Sequence, residues 1–156
     1  MIDQQQAIQE VDRIFALQHR PDNLQAMKAT TVTQRLERIS RIENYILDPS
    51  NQDELAKAMW ADLRKSKDEM IVTEIIPILT LLVHIKRKLK SWMKPQLVST
   101  PLAMAGLRSY IRYEPKGHIL IIAPWNYPFQ LSIIPLIHAI AAGNVCVLKP
   151  SEISSA

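Results

Sequence analysis

Hydrophobic residues recur along the first two-thirds of this chain at spacings of three and four, the period of an amphipathic helix. Ile8, Val11, Ile14 and Phe15 fall on one face of a first helix, and Arg20-Pro21-Asp22-Asn23 is expected to end it. Leu36, Ile39, Ile42 and Ile46 mark a second helix, preceded by Thr31 and Gln34 at capping-box spacing. Asp48-Pro49-Ser50 breaks the chain again, and Leu55, Met59 and Leu63 trace a third, shorter helix. Ser66-Lys67-Asp68-Glu69 reads as the capping box of a fourth, with Pro77 inside its apolar pattern predicting a kink or a break.

After Pro95 the period changes. Leu-Arg-Ser-Tyr-Ile-Arg-Tyr at 107–113 has the β-branched and aromatic content of a strand, and Pro115-Lys116-Gly117 turns it. His-Ile-Leu-Ile-Ile-Ala at 118–123 is a short apolar run, as expected of a strand buried on both faces of a parallel sheet. Residues 129–142 read as a helix with Leu131, Ile134, Ile137 and Ala141 on one side, and Gly143-Asn144 supplies its left-handed stop. Val145-Cys146-Val147-Leu148 is the next strand, which completes a βαβ unit whose crossover should be right-handed. The fold class is therefore α/β: an N-terminal helical arm followed by the first βαβ unit of a Rossmann-like domain.

Composition narrows this little. With 156 residues, 47% of them hydrophobic and 22% charged, the chain can bury a core. A net charge of +4 is too small to argue for nucleic acid. Lys86-Arg87-Lys88-Leu89-Lys90 sits where a helix dipole favours cations, and no aromatic residues interleave with it as a single-strand surface would require. The most apolar stretch, residues 71–85, contains Thr73, Glu74, Pro77, Thr80 and His84 and is shorter than a membrane span. The polar N-terminus has no signal-peptide pattern, and Cys146 is the only cysteine, so a reducing, cytoplasmic setting is expected. No metal site is expected.

Ligands of open α/β sheets bind beyond the carboxyl ends of the strands. Two proline-braced polar loops stand there: Pro124-Trp125-Asn126-Tyr127-Pro128, and Lys149-Pro150-Ser151-Glu152. The glycine fingerprint of a conventional dinucleotide site is absent, since Gly106, Gly117 and Gly143 are the only glycines. A nucleotide would have to be held otherwise, with Lys149 suited to phosphate or ribose oxygens and Glu152 to ribose hydroxyls.

Glu114-Pro115-x-Gly117, Pro124-Trp125-Asn126-Tyr127-Pro128-Phe129 and Ala141-Ala142-Gly143-Asn144-x-x-Val147-Leu148-Lys149-Pro150-Ser151-Glu152 resemble the aldehyde dehydrogenase superfamily. Asp62-Leu63-x-Lys65-Ser66-x-x-Glu69 and Trp92-Met93-Lys94-Pro95 resemble its dimeric class-3 and fatty-aldehyde branch. The resemblance implies an NAD- or NADP-dependent oxidation of an aldehyde to a carboxylic acid, in an enzyme that forms a homodimer and has neither a nucleic-acid partner nor a membrane span.

Carried onto this sequence, the resemblance makes Asn126 the donor to the oxyanion formed when a cysteine attacks the aldehyde. Such a donor is worth ~3 kcal/mol of barrier. The residues alone leave a second role open, an asparagine capping the helix that begins near Pro128. Lys149 and Glu152 correspond to the adenosine-ribose pair, with Pro150 and Ser151 between them, and Ile122, Ala123, Pro124 and Trp125 line the nicotinamide side. Glu152 should favour NAD by repelling a 2′-phosphate, although the class-3 branch is tolerant. Read without the family, Lys-Pro-Ser-Glu is a surface turn or the start of a helix. Tyr127 would border the aldehyde channel, or pack in the interior.

Cys146 lies mid-strand between Val145 and Val147, where a small apolar side chain belongs and a nucleophile does not. The resemblance places the nucleophile and the general base downstream of the matched segments, so the chain is expected to be a truncated portion, inactive alone. The divisions that follow are a helical arm at 1–95, an oligomerisation strand segment at 96–116 and the start of an NAD(P)-binding domain at 117–156. Two other readings are a non-catalytic dimerisation or nucleotide-binding module, and a basic helical binder acting through residues 86–90.

Overall fold

From residue 20 onward, caps and prolines set where the helices of the first two-thirds begin. The computed structural model describes residues 4–156; the first three residues of the polar N-terminus lie outside the described residues. α1 spans Gln4–Gln18 and α2 spans Pro21–Lys28. Pro21 was expected only to end a helix, yet it also starts one, because a proline in the first turn has its φ pre-set and needs no N–H. α3 (Val32–Leu47) carries both halves of the Thr31–Gln34 capping box. Asp48 ends α3 and caps α4 (Pro49–Leu63) through the Ser50 N–H. At 15 residues α4 is nearly as long as α3, because Pro49 at its first turn extends it well ahead of the Leu55 stripe. Ser66 caps α5 (Lys67–Met70) through the Glu69 N–H, with no return bond from the Glu69 carboxylate.

The expected disturbance at Pro77 takes a specific form. α5 runs into one π-helical turn, Ile71–Ile75, and then into α6 (Ile76–Trp92). Pro77 cannot donate to the ladder, and widening the preceding turn lets the helix pass through it unbroken. Ile75, Ile78, Leu82, Ile85 and Leu89 form the buried stripe of this segment. They pack with Ile39, Ile46, Met59, Met70 and, from beyond the helical region, Ile137 and Ala141.

Two short strands follow, β1 (Gln96–Val98) and β2 (Ser109–Ile111), paired antiparallel. β2 is the core of the strand expected at 107–113; β1 carried no sequence signal of its own. β3 (His118–Ile122), α7 (Pro128–Ala141) and β4 (Val145–Lys149) form the βαβ unit, with β3 and β4 parallel and in register from His118↔Val145 to Ile122↔Lys149. α7 ends in a Schellman turn: Gly143 donates to the Ile140 carbonyl and Asn144 to that of Ala139, with Gly143 at φ +84°. Asn144 is buried, and its side chain accepts the Gly117 N–H at 2.8 Å, tying the starts of the two parallel strands together.

Burial departs from the sequence reading in two places. β3 is not covered on both faces. Ile121 is buried, but Leu120 and Ile122, pointing the other way, are 64% and 69% exposed. α7 packs on the sheet from one side only. On the other side α1 reaches only part of the sheet: Phe15 stacks on the His118 ring, and Gln18 bonds the His118 Nε2 and donates to the Cys146 carbonyl at 3.0 Å. Second, the apolar stripe of α1 is largely exposed, with Ile8 and Val11 more than half uncovered. Periodicity decides which residues share a face, not whether the face finds a partner.

Candidate active-site loops

Because β3 and β4 are parallel neighbours, the loops after them emerge side by side. The ladder continues one step past β3, the Ala123 N–H donating to the Lys149 carbonyl at 3.0 Å. Ala123 is buried by this contact. Ile122, Pro124, Trp125, Asn126 and Tyr127 from the first loop, and Lys149, Pro150 and Glu152 from the second, are exposed; Ser151 is half-buried. The structure thus brings every sequence-predicted site residue to one end of the small sheet.

Asn126 does not cap α7. The N-cap position belongs to Tyr127, whose side chain makes no capping bond. The cap comes from another helix: Glu74 Oε2 accepts the Phe129 N–H at 3.1 Å and the Gln130 N–H at 2.9 Å. A carboxylate here satisfies two orphan donors and faces the positive end of the helix dipole. Glu74 is fully buried, and its other oxygen, Oε1, accepts from Lys65 Nζ at 2.7 Å. Lys65 is buried as well, donates to the Asn126 carbonyl at 3.3 Å, and lies 4.3 Å from the centroid of the Tyr127 ring. The side-chain amide of Asn126 makes no hydrogen bond to the described residues.

Local sequence explains both buried charges. Arg64 closes α4 in the left-handed conformation, with the Lys65 N–H bonded to the Met59 carbonyl, so the chain turns sharply and Lys65 points inward. Glu74 sits four residues from Met70 and from Ile78, both fully buried, and so shares their face. Sequence reasoning passed over it as a polar interruption of an apolar run. The available signal was a lone carboxylate on the buried stripe just ahead of a proline.

Lys149 Nζ pairs with Glu152 and also donates to the Pro150 carbonyl at 3.2 Å. The ammonium holds the Glu152 carboxyl below its ordinary pKa, keeping it an acceptor. Residues 151–153 form a turn, closed by the Ile153 N–H on Ser151 Oγ, and not the start of a helix. An exposed cation and an exposed hydroxyl-accepting anion, beside the apolar faces of Ile122 and Trp125, fit the chemistry of a dinucleotide. Cys146 is half-buried in β4, opposite Ile119, and burial pushes its thiol above the ordinary value, the reverse of nucleophile activation. Lys86, within the basic run of α6, is tied to Glu43 of α3. No helix among the described residues is long and apolar enough to cross a membrane.

A family model described as the aldehyde dehydrogenase family matches residues 2–156. The chain belongs to the aldehyde dehydrogenase family. Among its relatives, the 4,4'-diaponeurosporen-aldehyde dehydrogenase of Staphylococcus aureus is 43% identical over 120 residues, covering 77% of this chain and 26% of that one. Aldehyde dehydrogenase family 3 member B1 of Rattus norvegicus is 44% identical over 122 residues, covering 78% and 26%. The aldehyde dehydrogenase chain thus spans 26% of the length of these relatives, one of them from the class-3 branch. A substrate-bound structure of Staphylococcus aureus AldH superimposes with a TM-score of 0.84 at 39% identity, covering 92% of this chain and 31% of that one. The glyceraldehyde-3-phosphate dehydrogenase GapN of Methanocaldococcus jannaschii, complexed with NADP, gives 0.70 at 26% identity, covering 83% and 27%.

Proposed function

We propose that this chain is the N-terminal portion of an NAD(P)-dependent aldehyde dehydrogenase and carries the oxyanion donor and the ribose grip of its active site. One observation carries the reading. Glu74 occupies the cap of α7, so the Asn126 amide, in a loop beside Lys149 and Glu152, is left free to donate.

In the reaction this arrangement suits, a cysteine thiolate adds to the aldehyde carbon and the carbonyl electrons move onto oxygen. Asn126 Nδ2–H donates to that oxygen as its charge develops, which lowers the barrier. A bound oxidised nicotinamide would supply the acceptor for the hydride that has to leave the carbon for the thioester to form. Water then hydrolyses the thioester to the carboxylic acid and releases the thiolate. Lys149 and Glu152 would hold the adenosine ribose, Pro150 and Ser151 shape that loop, and Ile122, Ala123, Pro124 and Trp125 would line the nicotinamide side. Tyr127 would border the aldehyde channel.

The thiol of Cys146 lies mid-strand with its pKa raised, so the nucleophile must come from another segment, and these 156 residues alone should not turn over aldehyde. Residues 1–95 would act as a helical arm, 96–116 as an oligomerisation strand in a homodimer, and 117–156 as the start of the cofactor domain. The exposed Leu97, Tyr110 and Ile111 of β1 and β2 suit that second role. The single thiol suits a cytoplasmic enzyme.

The test is Asn126→Ala in the full-length protein that carries this segment, assayed by aldehyde-dependent NADH formation. Turnover should fall about a hundredfold, with the dissociation constant of the cofactor nearly unchanged. Loss of cofactor affinity alone would refute the oxyanion role.

A further inference from the structure

We infer that Lys65 and Glu74 are positioning residues for Asn126, holding the backbone of its loop by a buried ion pair; the inference rests on the oxyanion reading of Asn126. Together the pair touches four residues of that stretch, at positions 126, 127, 129 and 130. Lys65 donates to the Asn126 carbonyl and lies over the Tyr127 ring, and Glu74 accepts the Phe129 and Gln130 N–H groups. Lys65 and Glu74 are 7% and 0% exposed and 2.7 Å apart. Both charges leave water to form this contact, and a buried pair of this kind seldom stabilises a fold more than well-packed apolar residues would. What an apolar pair lacks is directional bonds. Here those bonds end on the Asn126 carbonyl and on backbone groups that follow it, while the Asn126 amide itself is left unbound. An oxyanion donor works by being fixed before charge develops, so a loop anchored through its backbone with a free side chain is the arrangement required.

The test is a double-mutant cycle in the full-length enzyme, with Lys65→Met, Asn126→Ala and the two combined, each read as kcat, KM and cofactor dissociation constant. Lys65→Met should lower kcat roughly tenfold and leave cofactor affinity within about twofold. On the Asn126→Ala background it should cost almost nothing more, because there is no amide left to position. Lys65→Arg, which keeps a charged donor, should recover part of the loss. If Lys65→Met lowers kcat equally on both backgrounds, the pair acts independently of Asn126 and the inference is overturned. If Asn126→Ala leaves kcat unchanged, the oxyanion reading has failed and the positioning role falls with it. Should Lys65→Met fold poorly, the neutral combination Lys65→Met with Glu74→Gln leaves no unpaired buried charge. It must show the same dependence on Asn126.

Discussion

Replacing Gly143 with alanine tests how tightly the helical region grips the βαβ unit. At φ +84° a side chain at this position costs about 1–2 kcal/mol by itself. The added Cβ would also stand 2.6 Å from Arg35 Cζ and closer still to Nη2. A guanidinium at the end of a free side chain would swing away, but this one is buried and bonded. Arg35 donates from Nη1 to the Ala141 carbonyl at 2.8 Å and from Nε to Thr30 Oγ1 at 2.9 Å. Hydrogen bonds from a charged group contribute about 1.5–3 kcal/mol each, and moving Arg35 sacrifices at least one. Gly143→Ala should therefore cost about 2.5–5 kcal/mol in chemical denaturation. Gly106 supplies the control. It has φ +97° and open space around it, so Gly106→Ala should cost only the backbone strain, about 1–2 kcal/mol. Equal losses at the two positions would refute the argument, since they would mean that Arg35 yields freely. Adding Arg35→Met to Gly143→Ala should cost less than the sum of the single changes, because both remove the same bonds.

Two further expectations concern titration and cofactor choice. Burial raises the Cys146 thiol, so the folded state holds the proton longer than the unfolded chain does. The stability this contributes is present below the unfolded thiol's pKa and is lost as pH rises through the folded one. Iodoacetamide should label the native protein more slowly than the denatured protein at pH 8, and equal rates would contradict the burial. Glu152→Gln should shift cofactor preference toward NADP by about fivefold, a size typical of one exposed charge contact, with Lys149→Ala weakening both cofactors. Titration calorimetry on the full-length protein would read both effects, and an unchanged preference ratio would remove Glu152 from the ribose site.

Most elements were legible because their signals are local. Thr31 with Gln34, Asp48 with Pro49, and Gly143 each act within a few residues of the boundary they set. The two loops could be placed beside one another because a βαβ unit admits few arrangements. The cap of α7 was not legible. Asn before proline is a local cap signal, yet the donors at Phe129 and Gln130 are met by Glu74, 55 residues away in sequence from the first of them. Arg35 was hidden in the same way, its partners being Thr30 and a carbonyl 106 positions on. Nothing in the spacing of a lone Glu or Arg on an otherwise apolar face says which backbone groups it will meet. The exposed face of β3 escaped for the opposite reason, since an apolar run specifies a strand without specifying what covers it.

Two of the three buried charges among the described residues, Glu74 and Arg35, act on opposite ends of one helix. Glu74 receives the first N–H groups of α7, and Arg35 donates to the Ala141 carbonyl in its last turn. Each charge is opposite to the helix-dipole end it faces. Both come from the helical region, one from the π turn beside α6 and one from α3. Its apolar residues meet Ile137 and Ala141 between those ends. α7 is therefore held by two ionic clamps and a greasy middle, and α7 in turn connects the two strands whose ends carry Asn126, Lys149 and Glu152. A shift of α7 along its axis would stretch one clamp and compress the other, whereas apolar contacts alone would allow it to slide. The helical region thus fixes the site's loops without contributing any of the sequence-predicted site residues, which is why Lys65, Glu74 and Arg35 matter to a site from which Glu74 and Arg35 are hidden.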